Sequence, residues 1–547
     1  MRFTLFLIIL FPIIAMGQAP IEIDWANHFG STTYDQSTHQ VWNQQNLYVV
    51  GYFSDSIGIQ TSNGAEDGFV VQYSSDGNLL WSSHFGGTGA DRINNIAVDS
   101  IGNMYIAGQF QNKVYFGSDS IENINSGQED LFLAHYGPNG TPKWVRSIQG
   151  NGYESALAIT LSQDSLIYIS GYYTGSLTFG NTTLVSKGNR DLFIAKYDTS
   201  GNILWAQSIG GPGPDETARL VTDGAGSVYV SGIIRDAIFL DNDTIYSQGH
   251  YDAFLAKYNS NGQLQWAKMV GSAVSDYCKS VVWDGYDKLY ITGWFGKKGT
   301  FGSQQLSSRG EEDMFLTQFD TSGNILWTQQ YGGVFDDRAY DIAIDDNREI
   351  YLVGTLDSIF NIGTDTFSNR HLNRPTNILL LHLDSTGQYK WGKSIGYVFN
   401  DFCFDVELGD SNAIYLTGNY QDSCYFDTAL VISNGGYDVY VAKYKQPYNG
   451  NIAVQPIYSG GKELNMQVSP NPFSNQITIT YDLPEDSPVQ ITLLDIHGRT
   501  IFQQLEDNIP KGHQQQQIRH LALENGLYLL RFETKDAIFV QKVVSMH

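Results

Sequence analysis

Cysteine is scarce in this chain of 547 residues, which contains only Cys278, Cys403 and Cys424. Three cysteines are too few, and too odd a number, for a disulfide framework, so stability has to come from packing. Cys403 and Cys424 could pair if their strands adjoin. We favour buried free thiols, because Cys278 stands at the repeat position equivalent to Cys403 and cysteine packs well as a small hydrophobic side chain.

Basic residues are also scarce. The chain has 32 Lys and Arg against 57 Asp and Glu, and its formal net charge is -25. A charge of this sign repels nucleic acid and anionic lipid surfaces. We therefore expect no nucleic-acid partner.

Long apolar runs are confined to the amino terminus. Arg2 precedes an apolar stretch from Phe3 to Met16, and a small-residue site follows at Ala15 to Gly17. These are the three parts of a secretory signal peptide, which we place at residues 1–17. No later segment approaches the roughly 20 apolar residues of a spanning helix. We expect an exported, soluble and monomeric mature protein.

Familiar catalytic motifs are missing from the sequence. There is no Gly-x-Ser-x-Gly nucleophile elbow, no His-Glu-x-x-His zinc pair and no phosphate-binding Gly loop with Lys. The 11 histidines neither repeat nor cluster. The sequence therefore predicts no enzyme and implies no cofactor firmly.

Tryptophan is what repeats. Seven tryptophans recur with a period of about 61 residues, and an aromatic-x-x-Gly element such as Tyr168 to Gly171 lies in every interval. Such self-similarity indicates a repeat architecture. The repeated tryptophans are Trp25, Trp81, Trp144, Trp205, Trp266, Trp327 and Trp391.

Each repeat reads as four short β-strands. In the third repeat these are Ala156 to Leu161, Leu166 to Tyr172, Asp191 to Tyr197 and Ile203 to Ser208, separated by Asp, Asn, Gly and Ser. Seven four-stranded units arranged around an axis make a β-propeller. The array opens with an unpartnered Trp strand, Ile21 to Phe29, which we expect to complete the last blade. The fold class is all-β, with a seven-bladed β-propeller over residues 21–445.

The repeat resembles a known bacterial family. Its pattern Asp-x-Phe-x-x-x-Tyr-x-x-x-Gly-x-x-x-Trp, as in Asp191 to Trp205 and Asp252 to Trp266, is similar to the seven-bladed-propeller repeat labelled SBBP. The sixth repeat departs from the pattern at Asn377, where the others have Asp.

The carboxyl-terminal residues form a second module after a linker at 446–464. Residues 465–547 are similar to the type A C-terminal sorting domain of the type IX secretion system of Bacteroidetes. This resemblance implies a small Ig-like β-sandwich, export across the outer membrane and the type IX machinery as a partner. The motif residues that carry it are Pro470, Asn471, Pro472, Gly498, Arg499, Gly526 and Tyr528.

Acidic residues recur beside the predicted innermost strands. Such a ring could bind Ca²⁺ or a polyhydroxylated ligand, since hard cations take oxygen ligands. The alternative is that each carboxylate accepts backbone N–H bonds and fixes a loop. The ring comprises Asp35, Asp91, Glu154, Asp215, Asp276, Asp337 and Asp401, and a second series comprises Asp67, Asp130, Asp191, Asp252, Asp313 and Asp438.

The repeated tryptophans have a packing interpretation. Their recurrence at one strand position favours contacts between neighbouring blades, where an aromatic side chain buries a large area. Trp42 and Trp283 lie outside the series, in the innermost strands near the channel, and are the better ligand candidates.

These observations predict a secreted or cell-surface, non-enzymatic propeller that binds a protein or a polysaccharide through one face, in adhesion or nutrient capture. One alternative is a secreted glycan hydrolase or lyase that uses a pair of carboxylates near the axis. Another is a structural surface protein stabilised by calcium.

Overall fold

The computed structural model describes two compact units, one ending at Lys445 and one beginning beyond it. No α-helix occurs in the described residues, and no helix there is long and apolar enough to cross a membrane. The predicted signal peptide and linker lie outside the described residues. Described are residues 21–445 and 467–545, except 58–59, 124–127, 241–242, 358, 369–375, 398, 411–412, 428, 471–472, 474, 495–499, 520–522, 524–525 and 536–537.

The first unit contains seven blades, and each blade has four antiparallel strands that carry the repeated sequence pattern. The unit is therefore a seven-bladed β-propeller. We call the four strands of a blade a to d, from the channel outwards. In six blades they follow one another along the chain. The first strand of the chain is β1 (Glu22–Phe29).

Blade 1 comprises β2 (Asp35–Asn43), β3 (Asn46–Phe53), β4 (Ser56–Ile57), β5 (Gln60–Thr61), β6 (Asp67–Ser74) and β7 (Leu79–Gly87). Blade 2 comprises β8 (Arg92–Val98), β9 (Met104–Phe110), β10 (Lys113–Phe116), β11 (Asp119–Glu122), β12 (Asp130–Tyr136) and β13 (Pro142–Ile148). Blade 3 comprises β14 (Glu154–Leu161), β15 (Ile167–Tyr173), β16 (Ser176–Phe179), β17 (Thr182–Val185), β18 (Asp191–Tyr197) and β19 (Ile203–Ile209).

Blade 4 comprises β20 (Glu216–Thr222), β21 (Val228–Ile234), β22 (Ala237–Leu240), β23 (Asp243–Tyr246), β24 (Asp252–Tyr258) and β25 (Leu264–Ser272), and blade 5 comprises β26 (Tyr277–Trp283), β27 (Lys288–Phe301), β28 (Gln304–Asp320) and β29 (Ile325–Tyr331). Blade 6 comprises β30 (Asp337–Ile344), β31 (Ile350–Leu356), β32 (Ile359–Ile362), β33 (Asp365–Ser368), β34 (Asn377–Leu383) and β35 (Tyr389–Ile395). Strands a to c of blade 7 are β36 (Asp401–Leu408), β37 (Ile414–Phe426) and β38 (Ala429–Lys445).

The ring is closed by the first strand, as the sequence predicts. β1 pairs antiparallel with β38, with Ala26 opposite Ala442 and His28 opposite Tyr440. It thereby supplies strand d of blade 7, whose order is β1-β38-β37-β36.

Each blade also has a hairpin between strands b and c that the four-strand reading of the repeat did not predict. In blades 5 and 7 this hairpin is a continuation of the long strands β27, β28, β37 and β38. Elsewhere its strands have two to four residues, too short to show an alternating pattern. The hairpin contacts strand d of the preceding blade, as Tyr115 opposite Gly86 and Thr300 opposite Gly271 show.

The repeated tryptophans lie between blades. Trp205 of blade 3 donates its Nε1 hydrogen to the carbonyl of Ser260, in the turn between strands c and d of blade 4, at 3.1 Å. Gly262 of that turn, with φ +78°, lies against the indole. The same donation occurs from Trp25 to Ser75, from Trp144 to Thr199 and from Trp266 to Thr321.

The three cysteines are buried free thiols, which confirms the reading favoured from the sequence. Burial raises the pKa of Cys278 and of Cys403 to about 12.

The second unit is a small β-sandwich around one core that includes Ile479, Tyr481, Leu493 and Phe532. Its sheets have the orders β39-β40-β43 and β42-β41-β44-β45. The strands are β39 (Gln467–Ser469), β40 (Gln476–Leu483), β41 (Ser487–Leu494), β42 (Thr500–Ile509), β43 (Gly512–Arg519), β44 (Gly526–Thr534) and β45 (Ile538–Ser545).

Part of the predicted sorting motif is placed in this sandwich. Pro470 is exposed after β39, Gly526 begins β44, and Tyr528 is partly buried in the same strand. Asn471, Pro472, Gly498 and Arg499 lie outside the described residues.

Candidate functional site

The seven predicted ring carboxylates stand at the start of the innermost strands and have no exposed surface. Asp215 shows their role. It accepts hydrogen bonds from the backbone N–H of Gly211, at 2.9 Å, and of Arg235, at 3.0 Å. It therefore ties the loop that enters the blade to the end of strand b. Backbone donors at corresponding positions reach Asp35, Asp91, Asp276 and Asp337. Asp401 accepts from the loop residue Tyr397, and Glu154 accepts from Gly152, only two residues before it.

The second acidic series, at the start of strand c, is buried as well. Two of its members, Asp130 and Asp252, lie close enough to the ring carboxyls Glu154 and Asp276 to raise the pKa values of those groups. Burial raises the pKa of Asp35 to about 6. It raises the pKa of Asp91 and Asp276 to about 7 and that of Glu154, Asp215 and Asp401 to about 8.

The described residues do not bring these carboxyls together as one set of calcium ligands. Ca²⁺ takes six to eight oxygen ligands. At Asp215 and Asp276 both carboxylate oxygens already accept backbone N–H donors. Across the described ranges, no group of three or more His, Cys, Asp or Glu side chains could hold a metal ion.

A different ring faces the channel. Every innermost strand has a β-bulge at the same point, so one residue has no partner in strand b. A bulge re-aims a side chain. All seven unpaired residues line one cavity of about 330 Å³, which we call the upper chamber. This bulge ring comprises Thr38, Asn94, Leu157, Ala218, Lys279, Tyr340 and Phe404.

The repeated glycine of strand b makes the bulge possible. In blade 3, a Cβ on Gly171 would lie 1.8 Å from the carbonyl oxygen of Ser155 in strand a. In blade 5, a Cβ on Gly293 would lie 1.7 Å from the carbonyl oxygen of Tyr277. Only glycine permits so close an approach of two backbones.

The bulge ring is chemically one-sided. Blades 5, 6 and 7 contribute Lys279, Tyr340 and Phe404, whereas blades 1 to 4 contribute small, polar or aliphatic side chains. The space left by the smaller residues faces the aromatic and cationic wall. The bulge ring therefore differs in chemistry from one side of the channel to the other.

The floor of the upper chamber is a cluster of charged side chains. Each belongs to the residue that follows a bulge residue in an innermost strand. Arg219 of blade 4 donates to Asp405 of blade 7 at 2.7 Å and lies 2.7 Å from His39 Nδ1 of blade 1, and His39 also contacts Asp405. Asp405 has no exposed surface. Arg219 therefore spans the channel and lines the cavities on both of its sides.

Below this floor lies a second cavity of about 470 Å³, the lower chamber, with a mainly aliphatic wall. Two acids face it. Burial and the nearby Asp405 raise the pKa of Asp341 to about 7, and they raise the pKa of Glu407 well above its usual range. Arg219 opposes both shifts.

Aromatic side chains surround the mouth of the upper chamber, at the end of the propeller where the innermost strands begin. We call this end the upper face. Nine rings form an unbroken series with centroids 5.0 to 6.5 Å apart. This aromatic arc comprises Tyr52, Tyr34, Tyr437, Phe402, Phe404, Tyr340, Trp294, Tyr277 and Tyr251.

Cations lie among the rings of the arc. The Arg92 guanidinium is 4.8 Å from the ring centroid of Tyr52, and the Lys279 ammonium is 5.3 Å from that of Trp294. The upper face thus combines flat apolar rings with hydrogen-bond donors, the mixture typical of ligand sites.

Trp42 and Trp283 do lie in innermost strands, β2 and β26, as the sequence indicates. Neither lines the upper chamber. Trp42 stacks on Tyr415 with centroids 4.7 Å apart.

The sequence analysis singled out the uniform acids and missed the bulge ring. A signal was nevertheless present. Each bulge residue stands three positions after a ring acid, in a strand that pairs with the strand of the repeated glycine. Aligning the repeats on those two marks therefore shows a position whose chemistry changes from blade to blade.

Comparison with curated proteins finds similarity to parts of longer chains. An uncharacterized WD repeat-containing protein of Acanthamoeba polyphaga mimivirus is 22% identical over 491 residues, which covers 72% of this chain and 35% of that protein. The regulatory protein FlaEY of Caulobacter vibrioides is 28% identical over 172 residues, which covers 30% of this chain and 18% of FlaEY. The chain therefore spans about a third of the first relative and less than a fifth of the second.

Solved structures with similar folds have low scores. Sqt1 from Chaetomium thermophilum is 12% identical and has a TM-score of 0.39, covering 76% of this chain and 86% of its own. PorZ, a surface component of the type IX secretion system of Porphyromonas gingivalis, is 9% identical and has a TM-score of 0.22, covering 95% of this chain and 100% of its own.

The second unit matches a family model. The description of that family is secretion system C-terminal sorting domain, and the match covers residues 467–546. It coincides with the β-sandwich at residues 467–545. This chain therefore carries a type IX secretion sorting domain, which engages the secretion machinery and gives the protein a secreted or surface location.

Proposed function

We propose that this protein is a non-enzymatic, exported β-propeller that binds polysaccharide in its upper chamber and along the aromatic arc. The observation that carries the proposal is the bulge ring, because the seven repeats differ there in chemistry around a cavity that opens between aromatic side chains. A position that served only the fold would be expected to repeat, as the ring carboxylates do.

The form of the surface favours a sugar chain over a protein partner. Sugar rings stack their C–H faces on aromatic rings, while their hydroxyls need polar partners. Tyr277, Tyr340 and Phe404 belong to both the arc and the wall of the chamber, so the rings lead from the outer face into a concave site. A concave site that is largely apolar, with a few polar groups, is typical of small-ligand recognition.

The arrangement of the channel acids favours binding over hydrolysis. A glycosidase needs two carboxyl groups on either side of the reacting bond. The floor acid Asp405 is fully buried and engaged by Arg219 and His39. Glu216, which also lines the upper chamber, forms an ion pair with Arg190 at 2.8 Å. In the upper chamber, the rival hydrolase or lyase function would have to recruit groups that are already paired.

Affinity electrophoresis of the full mature chain in gels that contain single soluble polysaccharides tests the proposal. We expect retardation by at least one polysaccharide, and we expect Tyr340→Ala to abolish it. Tyr246→Ala is the matched control, because Tyr246 is 72% exposed on the β23 hairpin, outside the arc.

The same samples give the test of turnover. The proposal predicts no release of reducing ends or unsaturated products. Retardation unaffected by Tyr340→Ala would contradict the site, and turnover lost on mutation of a channel carboxylate would establish the rival enzyme. Binding of a protein partner, with no polysaccharide retained, would also contradict the proposal.

A further inference from the structure

Lys279 is the cation of the bulge ring, and it differs from the other charged groups nearby. Its ammonium lies 5.3 Å from the ring centroid of Trp294 and 5.8 Å from that of Tyr277. Within the described part of the chain it has no hydrogen bond and no ion pair. The side chain is partly buried, so the ammonium lies within reach of a ligand in the chamber, but no carboxylate of the described residues pairs with it to balance its charge.

The neighbouring charges are already paired. Glu216 is held by Arg190, as described above. Arg219 is engaged by Asp405 on the floor, and Arg338 is engaged by Glu312 and by Asp336, the latter at 3.1 Å. Lys279 is therefore the positive charge left over in this part of the channel.

The charges around Lys279 would favour an anion bound beside its ammonium. Burial lowers the pKa of Lys279; Glu216 raises it, and Arg219 and Arg338 lower it further. An anion placed beside the ammonium would oppose both the burial effect and the repulsion between the cations.

The cavity also limits what the anion can be attached to. The same cavity is lined by Tyr340 and Phe404, the bulge-ring residues of the next two blades, whose ring centroids are 5.4 Å apart. A bare inorganic anion would leave these apolar faces uncovered, whereas a charged sugar ring would cover them. The volume of about 330 Å³ is at the small end of ligand sites, which suits one sugar unit better than a folded peptide.

We propose that the upper chamber binds an acidic sugar unit, whose carboxylate or sulfate pairs with Lys279 while its ring packs in the corner that the nearly perpendicular rings of Tyr340 and Phe404 form. This inference rests on the proposed polysaccharide binding and names its substrate class. A charge-assisted hydrogen bond in an enclosed site is stronger than a neutral one, so the anion gives the site its selectivity.

Calorimetric titration of the full mature chain tests it with three probes: an oligogalacturonate, a dextran sulfate oligomer and neutral maltoheptaose. We expect one or both acidic probes to bind at least about ten-fold more tightly than maltoheptaose. Lys279→Met should remove that preference, and Lys279→Arg should keep most of it. Lys143→Met is the control, since Lys143 is exposed on β13.

The two acidic probes separate the sources of the anion. Preference for oligogalacturonate identifies a carboxylated unit, and preference for the dextran sulfate oligomer identifies a sulfated one. Equal affinity for all three probes, or an acidic preference that survives Lys279→Met in a variant with unchanged thermal stability, would overturn the inference and leave polysaccharide binding intact. Failure of every polysaccharide in the electrophoresis panel would instead overturn the proposed function itself.

Discussion

At the scale of single residues, the contact between a tryptophan and the turn of the next blade can be isolated with one methyl group. Gly262→Ala adds a Cβ that would lie 2.7 Å from Trp205 Cδ2, at a residue with φ +78°. Gly285→Ala is its matched control, because Gly285 has φ +81° and nothing within 4 Å of an added Cβ.

Both substitutions place an alanine in the left-handed backbone conformation, which lowers the free energy of unfolding by about 1 kcal/mol. We expect Gly262→Ala to destabilise the protein further, by about 1 to 3 kcal/mol, because the indole has to move. Urea unfolding measures the difference. Equal losses for the two variants would show that the indole contact contributes nothing.

Arg219 provides a second prediction, because it is the cation of a buried acidic cluster. Arg219→Met removes the cation from Asp405, Asp341 and Glu407. Breaking a buried ion pair in this way lowers the free energy of unfolding by about 3 to 5 kcal/mol. Arg190→Met is the control. It removes a partly exposed pair with Glu216, worth about 0 to 1 kcal/mol.

The loss in Arg219→Met should also depend on pH. Removing the cation raises the pKa values of Asp341 and Glu407 still further, and a raised pKa gives stability that is lost as pH rises through it. We expect the deficit, followed by urea unfolding, to be larger at pH 8 than at pH 5. A deficit independent of pH would mean that the arginine acts through packing alone.

At the scale of elements, the pairing of β1 with β38 closes the ring and makes a quantitative prediction. A disulfide between Ala26→Cys and Ala442→Cys, which face each other in that pairing, encloses nearly the whole propeller. A disulfide between Ala195→Cys and Ala206→Cys is the comparison. These two residues are also opposite each other in a strand pair, but the bond encloses only one hairpin of blade 3.

Because a longer enclosed loop removes more entropy from the unfolded chain, the first disulfide should stabilise by up to about 5 kcal/mol and the second by less. Urea midpoints of the oxidised and reduced proteins give both values. A gain no larger than that of the hairpin disulfide would show that closure at β1 does not limit unfolding.

The strands that could be predicted from the sequence are those with a strong local pattern. In the third repeat, the predicted start of strand c and of strand d, at Asp191 and Ile203, is the observed one. The hairpins between strands b and c were missed, because four residues carry too little alternation and their contacts come from the preceding blade.

The candidate site was harder to predict for a related reason. Whether Lys279 or its neighbour Ser280 is the unpaired residue depends on the register between strands a and b, which a single strand does not reveal. The ring acids, such as Asp215, are uniform in the sequence because their task is local. The channel side chains differ because they meet across the molecule, as Arg219 meets His39 and Asp405.

At the scale of the whole molecule, the buried acids predict how stability changes with pH. The pKa values of about 6 to 8 at six ring acids, Asp35, Asp91, Glu154, Asp215, Asp276 and Asp401, exceed the value near 4 in an unfolded chain. Their contribution is therefore complete below about pH 4 and is lost as pH rises through 6 to 8. We expect the urea midpoint to fall from pH 5 to pH 9.

Asp191→Asn should flatten that slope, by about 1 kcal/mol between pH 5 and pH 9, because burial raises the pKa of Asp191 to about 6. Blade 6 already has Asn377 at the equivalent position. Asp198→Asn, in an exposed turn of the same blade, is the control and should not flatten it. A stability that rises from pH 5 to pH 9 would contradict this account of the acids.

The central claim is that the upper face of an exported propeller holds a sugar chain. Hydrogen–deuterium exchange of the full mature chain, with and without the panel polysaccharide that retards it most, tests this directly. We predict slower exchange at the starts of the innermost strands, around residues 277–279, 338–340 and 402–404. Protection confined to the opposite face, or to the sorting domain, would contradict the claim.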